Sequence, residues 1–257
     1  MYQSYEPNDG YSSVQVPPPP QPVTVQGLER QPWVTYGLLA VTILVYIAQL
    51  ALTVDGYPLL VLWGAKINEA IVDGQFWRLL TPMFLHGSMM HIAFNMYALY
   101  ALGKVIEPAY GHGRFLVLYI LAGFTGNVLS FIMTPGVSVG ASTAVFGLLA
   151  AEGIFWYQNR KLFGATAQSV LSNLVVVAIG NLVLGFAVPN IDNWGHIGGL
   201  IGGLLFAWFA GPHLALEGIV PLLRIVDRRD RRLTWLVAAM IGAFFAALVY
   251  VTMMVRS

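Results

Sequence analysis

Six stretches of this chain carry no charged side chain, and they constrain its fold more than any other feature. No Asp, Glu, Lys or Arg stands between Arg30 and Asp55, Arg78 and Lys104, Arg114 and Glu152, Lys161 and Asp192, Asp192 and Glu217, or Arg232 and Arg256. A helix crosses a bilayer core in ~20 residues, and every interval is long enough. The interval from Arg114 to Glu152 is too long for one crossing, and Thr134-Pro135-Gly136 divides it. Seven spans are therefore expected, at residues 33–53, 83–103, 115–133, 141–158, 169–188, 193–210 and 233–255. Only 10% of the chain is charged, against about a quarter in soluble domains. The fold class is an all-α membrane protein.

Residues 1–32 differ in kind. They are polar, hold the run Pro17-Pro18-Pro19-Pro20 and lack an apolar period, so they read as a disordered proline-rich tail. Residues 33–210 form the expected six-span core, 211–232 a basic loop, and 233–257 the seventh helix. Pro58 to Trp63, between the first two spans, is apolar but too short to cross and reads as an interfacial or re-entrant piece. With the N-terminus inside, ten Lys and Arg residues face the cytoplasm and three (Lys66, Arg78, Arg256) face out, which satisfies the positive-inside rule. The net charge of +1 gives no sign of a nucleic-acid partner, and zero cysteines exclude a thiolate nucleophile.

Ionisable groups at membrane depth are costly and mark functional sites. Ser142 follows Gly140, which permits unusual backbone angles, and heads the fourth span. Capping is its plainest role. His196 stands near the outer end of the sixth span, followed by Gly198, Gly199, Gly202 and Gly203. Gly199 and Gly203 share one helical face, as do Gly198 and Gly202, and either pair admits a second helix at close range. That approach brings the imidazole within reach of the Ser142 hydroxyl, as an activated nucleophile requires. His86, His91 and Asn95 sit on the second span, with His91 and Asn95 on one face; an amide and an imidazole there are suited to a tetrahedral oxyanion.

In chain order, Trp77-Arg78, His91-x-x-x-Asn95, Glu107, Gly140-x-Ser142 and His196-x-x-Gly199-x-x-x-Gly203 resemble the rhomboid intramembrane serine proteases. The resemblance covers about Trp77 to Ala210. It implies a six-helix rhomboid-like bundle, here with one helix appended. It also implies Ser142 as nucleophile, His196 as general base, and an oxyanion site of the Ser142 N–H, His91 and Asn95. Phe146 takes the place of an aromatic residue that stacks on the histidine. Thr143 departs from the family's usual glycine and adds a side chain beside the oxyanion site.

These features predict a multi-pass endopeptidase, in a bacterial cytoplasmic membrane, cleaving single-span membrane substrates near their extracytoplasmic end. No metal or other cofactor is implied: there is no H-E-x-x-H and no pair of intramembrane aspartates. The alternative is a catalytically silent rhomboid-like protein that binds and routes transmembrane helices. Asp192, Glu107 and Arg114 read as structural, Asp192 as a solvated carboxylate at the outer turn.

Overall fold

The structure is a computed structural model and describes residues 24–27, 30–189, 191–220 and 222–256. A short strand β1 (Thr24–Gln26) precedes helix α1 (Trp33–Ala51). Strands β2 (Thr53–Val54) and β3 (Tyr57–Pro58) form a hairpin closed by Asp55-Gly56. Both turn residues have positive φ, 51° and 81°, as a type I′ connection requires. Helices α2 (Leu59–Gly64) and α3 (Asn68–Val72) and two 3₁₀ turns (Phe76–Leu79, Thr81–Phe84) complete the first loop. Then come α4 (Met89–Tyr110), α5 (His112–Met133), α6 (Ser142–Gln158), α7 (Arg160–Phe163), α8 (Ala165–Ala187) and α9 (Asn193–Ala210). Strands β4 (Leu214–Ile219) and β5 (Leu222–Asp227) precede the last helix, α10 (Arg232–Arg256).

Four of these helices, α1, α5, α8 and α10, are long and apolar enough to cross a membrane by length and composition. The other three long helices fall short: α6 has only 17 residues, and polar and small residues interrupt α4 and α9. Those three carry His91, Asn95, Ser142 and His196. α5, α6 and α9 form the centre of the bundle, and two-thirds of α5's most apolar stretch is buried (67%). α8 lies at the edge, with 6% of its most apolar stretch buried.

Glycine sets the central spacing. A Cβ at Gly199 would stand 1.9 Å from the Thr143 carbonyl oxygen, and one at Gly203 2.2 Å from that of Gly147. On the neighbouring face of α9, a Cβ at Gly198 would meet Thr125 O at 2.7 Å and one at Gly202 would meet Thr125 Oγ1 at 2.0 Å. One glycine pair therefore faces α6 and the other faces α5.

Buried ionic groups tie the elements together. Glu107 is fully buried on α4 and accepts from Val34 N (2.8 Å), Thr35 N (2.7 Å) and Thr35 Oγ1 (2.6 Å). A carboxylate thereby serves the free amides of α1's first turn. Arg78 is buried and donates to Leu62 O and Ala65 O, both at 2.8 Å, while Trp77 stacks on Trp63 at 5.3 Å.

Three sequence expectations are corrected. The second span does not run helical from residue 83: Pro82 and Gly87 keep that segment out of the helix. Ser88 caps α4, its hydroxyl accepting from His91 N at 3.2 Å, so His86 precedes the helix. The basic segment 211–232 is not a plain loop, because β4 and β5 pair antiparallel from Leu214↔Asp227 to Ile219↔Leu222. Its apolar residues, mixed with Glu217 and Arg224, suit a half-covered strand pair. Within the segment read as a disordered tail, Thr24–Gln26 pairs in parallel with β5. Residues 1–23, including the proline run, lie outside the described residues.

Candidate active site

The turn between α5 and α6 presents Ser142, and its shape is held from several sides. Gly140 has φ +136°, a region that glycine enters freely and other residues rarely do. A Cβ there would also stand 2.7 Å from His91 Nε2 and 3.6 Å from Ser142 Oγ. His91 and Ser142 thus flank one point over the glycine. Gly140 N donates to Pro82 O at 2.9 Å, and Lys66 and Ser138 exchange backbone hydrogen bonds at 3.0 and 3.1 Å. The Lys66 side chain, fully buried, donates to Thr134 O (2.7 Å), Gly136 O (2.6 Å) and Asn68 Oδ1 (3.1 Å).

Ser142 is the first residue of α6, where backbone N–H groups lack intrahelical acceptors. Its hydroxyl lies 2.9 Å from His196 Nε2 across the α6–α9 contact. The imidazole stacks on Phe146, with centroids 4.2 Å apart and planes at 12°. His196 is buried, and its Nδ1 has no hydrogen-bond partner among the described residues. With Nε2 accepting from the serine, Nδ1 carries the proton. The pair is a serine and a histidine without a carboxylate behind it.

Asp192 is neither solvated nor a third member. It caps α9, accepting from Gly195 N at 3.0 Å, and takes hydroxyl hydrogen bonds from Ser130, from Thr134 (2.8 Å) and from Ser138 (2.7 Å). Burial opposes its charge, yet these donors outweigh burial and hold its carboxyl below the ordinary aspartate value. One carboxylate therefore joins the end of α5, the turn before Ser142 and the start of the helix bearing His196.

The second-span residues gather on the same side. The His91 ring meets the His86 ring edge to face at 5.1 Å. His86 is fully buried, and its Nε2 accepts from Ala141 N at 3.3 Å. Its backbone is gripped by Gln49 of α1, which donates to His86 O (2.6 Å) and accepts from His86 N (3.2 Å). Asn95 spends one amide N–H on His91 O at 2.9 Å, leaving the other free to serve a ligand. Gly199 and Gly203 bear on Thr143 and Gly147, as described above.

Thr143 lies against α5 and α9. Its side chain fills the notch between α5 and α9, where Cβ atoms at Gly126 and Gly195 would stand 2.5 and 3.1 Å from it. The glycines at 126 and 195 make the room that the extra side chain needs.

Sequence reasoning missed Gln49 and Lys66 and misread Asp192. For Asp192 a signal existed, since Asp192-Asn-Trp-Gly195 before an apolar run is a helix-start pattern. Gln49 and Lys66 offered only their polarity beside apolar neighbours.

Residues 73–213 match the family model of the Rhomboid domain. The chain is 45% identical over 181 residues to Rhomboid protease GluP of Bacillus subtilis, covering 69% of this chain and 34% of that protein. It is 36% identical over 168 residues to RHOMBOID-like protein 9, chloroplastic, of Arabidopsis thaliana, covering 62% and 38%. Against Rhomboid-like protease 3 of Toxoplasma gondii it is 33% identical over 180 residues, covering 67% and 65%. The chain spans little more than a third of the first two relatives' length. Since the domain match takes in just over half of its residues, and its apolar helices suit a bilayer, this chain is an integral membrane protein of the Rhomboid family.

Proposed function

We propose that the protein is a serine endopeptidase that cleaves single-span membrane proteins within the bilayer, near their extracytoplasmic end. The observation that carries this reading is the 2.9 Å approach of Ser142 Oγ to His196 Nε2. Ser142 attacks the scissile carbonyl carbon while Nε2 takes the hydroxyl proton. The tetrahedral oxyanion is met by the Ser142 N–H, the second Asn95 N–H and His91. His196 then passes its proton to the leaving amine, and the acyl-enzyme forms. Water, deprotonated by the same nitrogen, releases the new carboxylate and restores the serine. Each oxyanion donor is expected to contribute roughly 10²–10³ in rate.

The half-buried setting of Ser142 and His91 supports water entry from the Gly87–Ser88 side, which is exposed. In this reading α1, α4, α5, α6, α8, α9 and α10 all cross the membrane, N-terminus inside and C-terminus outside. The distribution of Lys and Arg supports that orientation. Two relatives named as proteases support the reaction class. A substrate helix must unwind to expose its carbonyls, so segments containing weak helix formers are favoured.

The test is a purified chain reconstituted with a cleavable single-span substrate. Ser142→Ala should give no product and should lose labelling by a serine-directed fluorophosphonate. Product at the wild-type level from that variant would overturn the proposal. Absence of labelling in the wild type would favour the non-catalytic, helix-binding alternative.

A further inference from the structure

A second concave site lies at the opposite end of the bundle. α5 alone, at 22 residues, separates the two ends by roughly 33 Å. A cavity of about 340 Å³ opens there between the segment before α1, the α4–α5 turn and the start of α10. Its charged and polar walls are Arg30, His112, Arg114, Arg231 and Thr234, and its aromatic walls are Tyr110 and Trp235.

Among the described residues the charges around this cavity do not cancel. Arg114 is paired with Asp227 at 2.9 Å. Arg30 and Arg231 have no carboxylate within ion-pair distance among the described residues. The nearby acids are engaged: Glu107 holds α1 and His112, and Asp230 accepts from Arg232 N at 2.9 Å. The Arg30 guanidinium lies against the turn itself, its Nη1 2.8 Å from where a Cβ of Gly111 would stand. Trp235, 67% exposed, flanks the cavity as an interfacial aromatic would.

We propose that this cavity binds a phosphate group, supplied in the membrane by the headgroup of an anionic phospholipid. Two guanidinium forks around one cavity match the bidentate geometry of phosphate oxygens. Basic pockets between membrane helices take anionic headgroups for this reason. The site is separate from Ser142 and His196 and does not depend on the reaction proposed for them.

The test is binding to the full-length chain in a neutral detergent, followed by native mass spectrometry. The probes are short-chain phosphatidylglycerol, the matching phosphatidylcholine and inorganic phosphate. Phosphatidylglycerol should bind saturably with one lipid per chain. Arg30→Gln/Arg231→Gln should weaken it roughly thirtyfold, at about tenfold or less per arginine. Arg224→Gln/Arg228→Gln, which removes one cation of β5 and one just after it, both outside the cavity, should leave binding unchanged. Competition by inorganic phosphate identifies a site that reads the phosphate alone; its absence assigns the site to the lipid headgroup. Should the Gln pair fold poorly, Arg30→Lys/Arg231→Lys keeps the charge and should show an intermediate loss. Equal binding of phosphatidylcholine, or equal loss in the hairpin variant, would overturn the proposal.

Discussion

Gly199 of α9 and Thr143 of α6 meet backbone to backbone: a methyl group at 199 would sit 1.9 Å from the Thr143 carbonyl oxygen. This contact sets how far His196 stands from Ser142, because each residue of the pair lies within one helical turn of one of them. Gly199→Ala must push the helices apart. We expect a loss of about 1–3 kcal/mol in stability and fluorophosphonate labelling at least a hundredfold slower. Thermal unfolding in detergent and labelling time courses check both. Normal labelling would refute the geometric argument.

Phe146 supports the His196 imidazole, the proposed base, from its face. The stack at 4.2 Å holds the imidazole plane, and such contacts are worth about 0.5–1.5 kcal/mol. Phe146→Ala should lower kcat roughly tenfold, in line with the upper end of that range. Phe146→Tyr keeps the ring and should stay near wild type. Steady-state cleavage of a membrane substrate separates the two variants.

Asp192 yields a pH prediction. Burial raises its carboxyl, but hydrogen bonds from Ser130, Ser138, the Gly195 N–H and Thr134 more than offset this, holding it below the ordinary 3.8. A carboxyl depressed on folding stabilises the native state above its unfolded value. That contribution is lost as pH falls through the lower folded value. Asp192→Asn should therefore be destabilised at neutral pH by about 1–3 kcal/mol. Its unfolding temperature should also fall less than the wild type's on acidification below 3.8. Parallel acid profiles of the two proteins would contradict this account.

Lys66 fastens the first loop to the turn that presents Ser142. Lys66→Met keeps the stem but strips the donor from Gly136 O and Asn68 Oδ1. A charged hydrogen bond of this kind is worth about 1.5–3 kcal/mol, so the unfolding midpoint should drop measurably. Labelling of Ser142 should slow several-fold while substrate affinity holds. Calorimetry and labelling kinetics on one preparation read both effects.

Much of the site was readable from the chain. Ser142 and His196 stood out because polar groups are rare inside apolar runs, and the glycine spacing of α9 pointed to close helix contact. The unread portion shares one physical cause: the partner of a polar side chain is chosen in three dimensions. Nothing in sequence tells that Gln49 reaches His86, 37 positions away, or that Lys66 turns inward to Thr134. Asp192 was taken for a surface acid because its hydroxyl donors, Ser130, Thr134 and Ser138, lie 54 to 62 positions before it. The β4–β5 hairpin was hidden by the basic cluster that follows it, Arg228 to Arg232, which favoured reading the whole segment through the charge-distribution rule alone.

The grip of Gln49 on His86 has a consequence for where the working unit begins. The family match starts at residue 73, yet His86, which receives the Ala141 amide just before the serine, is clamped by a side chain 24 positions upstream of that border. An excised fragment opening at 73 would retain every proposed reacting group and still lose the brace behind them. The first helix is thus a structural member of the proposed reaction centre, contributing rigidity without contributing chemistry.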